Sequence, residues 1–176
     1  ESPFAKGVVR YSGTAGTDEC QNAFKNILKC EGFDTSKLFV QVTDGGSSGM
    51  ELLLIGVCGP AGTDEKPLMM IDPAYTNYIS FAERVGRKTV TVKRHLGEDG
   101  KFNLPELAKI EEVIKENNPG ALLVIPYDNP TGQLYDNETL IELAKLCVKY
   151  NMWMISDEAY RELQAVLADN PKAQGR

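Results

Sequence analysis

The sequence predicts an α/β protein with a largely parallel sheet, and three observations carry that prediction. From Thr17 onward, segments of helical period alternate with short apolar runs. The punctuation between them is brief and rich in Gly, Asp and Pro. Three runs, in "VTDGGSS", "MIDPAYTNY" and "IPYDNPTG", leave through an aspartate into a Gly- or Pro-containing turn ahead of a helix. Open α/β sheets bind ligands at the carboxyl ends of their strands, so these turns are where chemistry is expected.

The elements follow in order. "TDECQNAFKNILKCEG" places Ala23, Phe24, Ile27, Leu28 and Cys30 at near-helical spacing, with Thr17 or Asp18 to cap its start and Gly32 after its end. Its apolar face is expected on the sheet. A strand over residues 38–44, "LFVQVTD", is followed by a turn, "GGSS", and the apolar helix "GMELLLIGVCG". Next come the strand "PLMMID", the helix "YTNYISFAERVG" and the strand "KTVTVKR". The loop "HLGEDGKFN" leads to the helix "LPELAKIEEVIKENN", the strand "ALLVIPY", the helix "NETLIELAKLCVKYN" and the strand "MWMISDE". The tail "QAVLADNPKAQGR" reads as a helix stub and polar coil.

Bulk properties narrow the function. At 176 residues, 42% apolar and 25% charged, the chain has room for one domain with a core. No apolar run approaches the ~20 residues that span a bilayer, so no membrane partner is expected. The net charge of −6, without a Lys/Arg-rich tract, argues against nucleic acid. Cys20, Cys30, Cys58 and Cys147 are scattered and show no C-x-x-C spacing. They read as structural thiols of a cytoplasmic, reducing compartment. The single histidine, His95, rules out a histidine-rich metal site and reads as a solvated loop residue. The chain lacks an initiating Met and a signal peptide, and is expected to be part of something longer.

Four turns carry candidate chemistry. "DGGSSG" brings free N–H groups and hydroxyls to a helix start, suited to a phosphate, although a plain serine-capped turn reads the same way. "DPAYTNY" offers Tyr75 and Tyr78 to cover a flat ligand; alternatively one ring packs on the sheet with its hydroxyl at the surface. "YDNPTGQ" holds Asn129 before a proline, biased away from helix, with its amide free to meet a ligand oxygen. "MWMISDEAY" runs an apolar strand into Asp157 and Glu158. A carboxylate there needs a cationic or hydrogen-bonding partner, which a protonated ring nitrogen would supply; the alternative is a helix cap.

With "YSGTAG", "DGGSSG", "DPAYTNY", "DNPTG" and "SDEAY" in this order, the chain resembles the class I/II aminotransferases of fold type I over residues 10–163. The resemblance implies a three-layer α/β/α large domain, here partial, that binds pyridoxal 5'-phosphate (PLP), with no structure assigned to the flanks 1–9 and 164–176. It implies that Gly46 and Ser47 hold the cofactor phosphate and that Tyr75 stacks on the pyridine ring. Asn129 and Tyr160 would reach the phenolic oxygen, and Asp157 would pair with the protonated ring nitrogen. Tyr11, in trans, would reach the phosphate of a neighbouring subunit, which makes the unit a homodimer. The implied activity is amino-group transfer between an amino acid and a 2-oxo acid.

The family's Schiff-base lysine follows the "DEAY" segment in a Ser/Lys motif that is missing here, and Lys172 stands in a different context. The arginine that clamps the substrate carboxylate is missing too. The expectation is therefore a longer enzyme whose covalent lysine lies outside these residues, this chain being inactive alone. The competing readings are a PLP-dependent lyase or synthase of the same fold, and an inactive fragment or interaction module.

Overall fold

The computed structural model describes Gly7, residues 11–60 and residues 62–163. The expected helix stub and coil after Leu163 lie outside the described residues. The chain divides into two compact units, residues 1–49 and 50–176, with the boundary inside one helix.

The first unit holds α1 (Asp18–Cys30), whose ends are set by local chemistry. The Thr17 side chain accepts the Cys20 N–H at 3.3 Å, and Asp18, Glu19 and Lys29 complement the helix dipole. Gly32, at φ +91°, follows the last turn as expected. Within its unit α1 has no buried residue, and Phe24 and Ile27 are 53% and 43% exposed.

Residues 38–44 form no strand, contrary to the sequence reading. Alternating Val and Gln confer strand propensity, but a ladder needs a partner, and Val42 N–H finds only the Ala15 carbonyl at 3.0 Å. Gly16 makes that approach possible: a Cβ on it would stand 2.6 Å from Val42 Cγ2.

The helix α2 (Gly45–Cys58) begins at Gly45, so the predicted "GGSS" turn is its first turn. The second unit continues from Met50 and is built on four parallel strands: β1 (Leu68–Asp72), β2 (Thr89–Lys93), β5 (Ala121–Val124) and β6 (Trp153–Ser156), in the order β2-β1-β5-β6. Strand alternation sends side chains to opposite faces, and here both faces are covered. Leu68, Met70, Ala121, Leu123 and Ile155 pack with α2 and with α3 (Asn77–Arg84). Met69, Ile71, Val92, Leu122 and Val124 pack with α4 (Leu107–Asn117) and α5 (Asn137–Lys149). This gives the expected three layers.

A small hairpin, β3 (His95–Leu96) with β4 (Phe102–Asn103), occupies the predicted loop. His95 is exposed there, as expected. Gln133 clasps Phe102, accepting its N–H at 2.6 Å and donating to its carbonyl at 3.2 Å. Cys58 and Cys147 are buried, and burial pushes both thiols up, Cys147 to about 11. Cys30 departs from the structural reading in being exposed at the end of α1. Among the described residues no helix is long and apolar enough to cross a membrane, and no cluster suits a metal ion.

Candidate active site

Because the sheet is parallel, the turns after β1, β5 and β6 emerge at one end of it. Tyr75 lies between β1 and α3, Asn129 follows β5, and Asp157 and Tyr160 follow β6. Four of the seven expected cofactor residues therefore share the carboxyl end of this sheet.

Asp157 continues the ladder by one step, its N–H donating to the Val124 carbonyl at 2.9 Å, so its side chain stands at the sheet's rim. Oδ1 accepts the Ala159 N–H at 3.0 Å, the turn expected of the capping alternative. Oδ2 accepts the hydroxyl of Tyr78. Both donors are neutral, and among the described residues no cation pairs with this half-buried carboxylate. Glu158 is exposed and accepts the Ser156 hydroxyl.

Tyr78, Phe81 and Ala82 form the buried face of α3, at the i, i+3, i+4 spacing that lines one side of a helix. Tyr78 is the ring that packs on the sheet, yet its hydroxyl is not at the surface: the residue is only 5% exposed and its polar tip ends on Asp157. Burial first, then the hydrogen bond to Asp157, pushes the phenol well above its ordinary value, so it remains a donor. Tyr75 is 37% exposed and meets Tyr78 edge-on, centroids 5.5 Å apart at 82°. Asn77 Nδ2 donates to the Tyr75 hydroxyl at 2.8 Å. Buried tyrosine tips require partners, so the second tyrosine of "DPAYTNY" was the legible signal for this contact.

Asn129 and Tyr160 line one cavity of about 300 Å³, together with Tyr127, Pro130, Leu134 and Leu163. Asp128 borders the same cavity, but its carboxylate is buried. Its Oδ2 lies 2.8 Å from Arg94 Nη2, with both side chains 2% exposed. Thr131 also donates to that carboxylate, and Arg94 Nη2 donates to the Pro73 carbonyl. Arg94 thus ties the turn bearing Tyr75 to the turn bearing Asn129. Sequence reading placed Arg94 at a strand end without a partner; a cation at the rim of an apolar strand, facing aspartate-bearing turns, was the available clue.

Gly46, Ser47 and Tyr11 belong to the first unit. The first N–H groups of a helix have no partner within it, and no acidic side chain occupies this first turn, so Gly46 and Ser47 sit in an anion-attracting environment. A Cβ on Gly46 would meet no atom within 4 Å, and its φ is not left-handed. Neither packing nor backbone demands glycine there, whereas close approach of a ligand to the backbone would. Tyr11 is fully exposed.

Residues 5–169 match the family described as aminotransferase class I and II. The chain is 29% identical over 160 residues to the aspartate/prephenate aminotransferase of Thermus thermophilus, across 90% of this chain and 40% of that protein. The alanine aminotransferase of Pyrococcus furiosus shares 27% identity and a TM-score of 0.70, over 89% of this chain and 38% of its own. A PLP-bound C–S lyase from Staphylococcus hominis, complexed with L-cycloserine, shares the fold with a TM-score of 0.70 at 21% identity, over 88% of this chain and 39% of its own. The chain spans about 40% of the length of the first curated relatives it matches.

Proposed function

Because the chain belongs to the aminotransferase class I and II family, we propose that it supplies the cofactor-holding residues of a PLP-dependent enzyme. The reaction proposed is transfer of an amino group between an amino acid and a 2-oxo acid. The observation that carries this reading is Asp157, a half-buried carboxylate at a strand's carboxyl end, oriented by two neutral donors and lacking a cation among the described residues. That donor set fits a protonated pyridine nitrogen, which brings the charge the carboxylate lacks.

The remaining assignments belong to the same proposal. Tyr75, beside the rim and partly exposed, would cover the ring face. Asn129 and Tyr160 line one cavity and would both hydrogen-bond the phenolic oxygen. The first turn of α2, with Gly46 and Ser47, would take the phosphate through free N–H groups and the serine hydroxyl. Tyr11 would serve the phosphate of a neighbouring subunit in a homodimer. When bound, PLP supplies an electron sink for the charge left as the substrate's α-proton departs. Asp157 sustains that property by keeping the ring nitrogen protonated. The reading assigns the covalent amine and the substrate-carboxylate arginine to no residue of this sequence. Four scattered cysteines, two of them buried thiols, support a reducing, cytoplasmic setting.

The shared fold of the C–S lyase supports a second reading, since fold and cofactor do not fix which bond is broken. One assay of the intact protein separates them. Amino transfer to a 2-oxo acid, abolished with cofactor removal and restored by PLP, is the expected result. Ammonia released with a 2-oxo acid, without transfer, selects the lyase; neither product overturns both.

A further inference from the structure

We infer that Tyr78 is a positioning residue that holds Asp157 in line for the ring nitrogen, an inference that rests on the PLP-binding reading above. The geometry is a two-point clamp: the Tyr78 hydroxyl donates to Oδ2 while the Ala159 N–H donates to Oδ1. A carboxylate held at one oxygen still rotates about its last side-chain bond. Held at both, it presents its remaining lone pairs in one direction.

Tyr78 can act as a fixed point because the rest of it is immobilised. Its ring is buried within the cluster formed by Met50, Leu54, Leu68 and Phe81, and it meets Phe81 with centroids 6.2 Å apart. The hydroxyl reaches a residue 79 positions away, so this contact joins α3 to the end of β6. The donor's neutrality matters as much as its place. A lysine or arginine here would neutralise Asp157 and compete with the ring's N–H; a phenol orients the carboxylate and leaves its charge for the cofactor. Asp128 shows the alternative, where Arg94 already neutralises the carboxylate. Tyr78 also abuts Tyr75 edge-on, so the residue placed over the ring, in the turn before α3, leans on the residue in the first turn of α3 that aims its nitrogen's partner.

The test uses the intact protein, loaded with PLP labelled with ¹⁵N at the ring nitrogen, as wild type, Tyr78→Phe, Asp157→Ala and the double variant. Phe preserves the buried ring, and a thermal melt checks folding in each. The expected result for Tyr78→Phe is a PLP Kd raised about tenfold, the cost of losing one hydrogen bond to a charged group. The ring ¹⁵N resonance should move toward the unprotonated position. In the Asp157→Ala background the same substitution should change Kd less than about twofold, because its effect runs through the carboxylate. A Phe variant with wild-type Kd and wild-type ¹⁵N shift would reduce Tyr78 to a core side chain. An equal Kd increase in both backgrounds would also overturn the inference, by showing that the effect bypasses Asp157. If the wild type takes up no PLP, the cofactor reading itself fails, a result distinct from either.

Discussion

Asp128 and Asp157 follow adjacent parallel strands at the same end of the sheet, and the protein treats them oppositely. Asp128 is buried with Arg94 at 2.8 Å, further satisfied by Thr131, while Arg94 itself bridges to Pro73 and lies 5.9 Å from the Tyr135 ring centroid. Asp157 is half exposed and, among the described residues, receives only neutral donors. The first charge is compensated within the chain and braces two turns. The second is oriented but meets no cation among the described residues. An aspartate at a strand's end is thus not a ligand by position alone; what its oxygens already contact decides.

The largest effect is expected at Arg94. Arg94→Met should destabilise the second unit by about 3–5 kcal/mol, because it leaves a carboxylate buried and unpaired. Urea unfolding measures this, and the Arg94→Met/Asp128→Leu double variant should recover much of the loss, since no bare charge then remains. A single variant of wild-type stability would mean Asp128 reaches water. At the other aspartate the loss should fall on function. Asp157→Asn should keep its midpoint of unfolding while transamination by the intact protein drops roughly a hundredfold, the scale of losing one electrostatic partner at a reacting centre. Unchanged turnover would remove Asp157 from the site. Tyr75→Ala sharpens the same contrast more gently, weakening PLP retention about tenfold and shifting cofactor absorption, as expected for a lost ring contact. An unaltered spectrum would move the stacking role elsewhere.

A third carboxylate gives a surface reference. Glu111 accepts from Lys149 at 2.6 Å and from Tyr150, with Lys115 at 3.5 Å. The Lys149 hydrogen bond, then that of Tyr150, holds it down at about 2 against an ordinary 4.5. A depressed folded value means its stabilisation is complete above pH 4.5 and fades as pH falls toward about 2. Glu111→Gln should lower the melting temperature modestly at neutral pH, where that stabilisation is complete, and converge on wild type as pH falls toward about 2, which flattens the acid limb. An acid limb identical to wild type would show that solvent screens the cluster.

The sequence made the sheet legible where burial is two-sided. "LMMID" and "ALLV" are short apolar runs between breakers, and each became a strand of the parallel sheet, while "TVTVK", at the sheet's edge, was legible from its β-branched residues. Residues 38–44 misled because strand propensity is local whereas pairing is not. "GGSS" misled because two glycines suggest a turn, yet only Gly45 takes a positive φ, and the helix starts there. The hairpin of two-residue strands, clasped by Gln133, has no periodicity to read. For the site, the turns that carry Tyr75, Asn129 and Asp157 were legible as turns. The contacts that separate Asp128 from Asp157 were not, since Arg94 and Tyr78 reach their partners across the sheet's end, from other elements.

On the proposed function, the charge of Asp157 is kept for the cofactor's ring nitrogen. A crystal structure of the intact protein with PLP tests it most directly. The ring nitrogen is expected about 2.7–2.9 Å from an Asp157 oxygen, with the Tyr78 hydroxyl still on Oδ2 and the Tyr75 ring over the cofactor. A ring nitrogen directed away from Asp157, or an Asp157 paired instead with a cation of the protein, would contradict it.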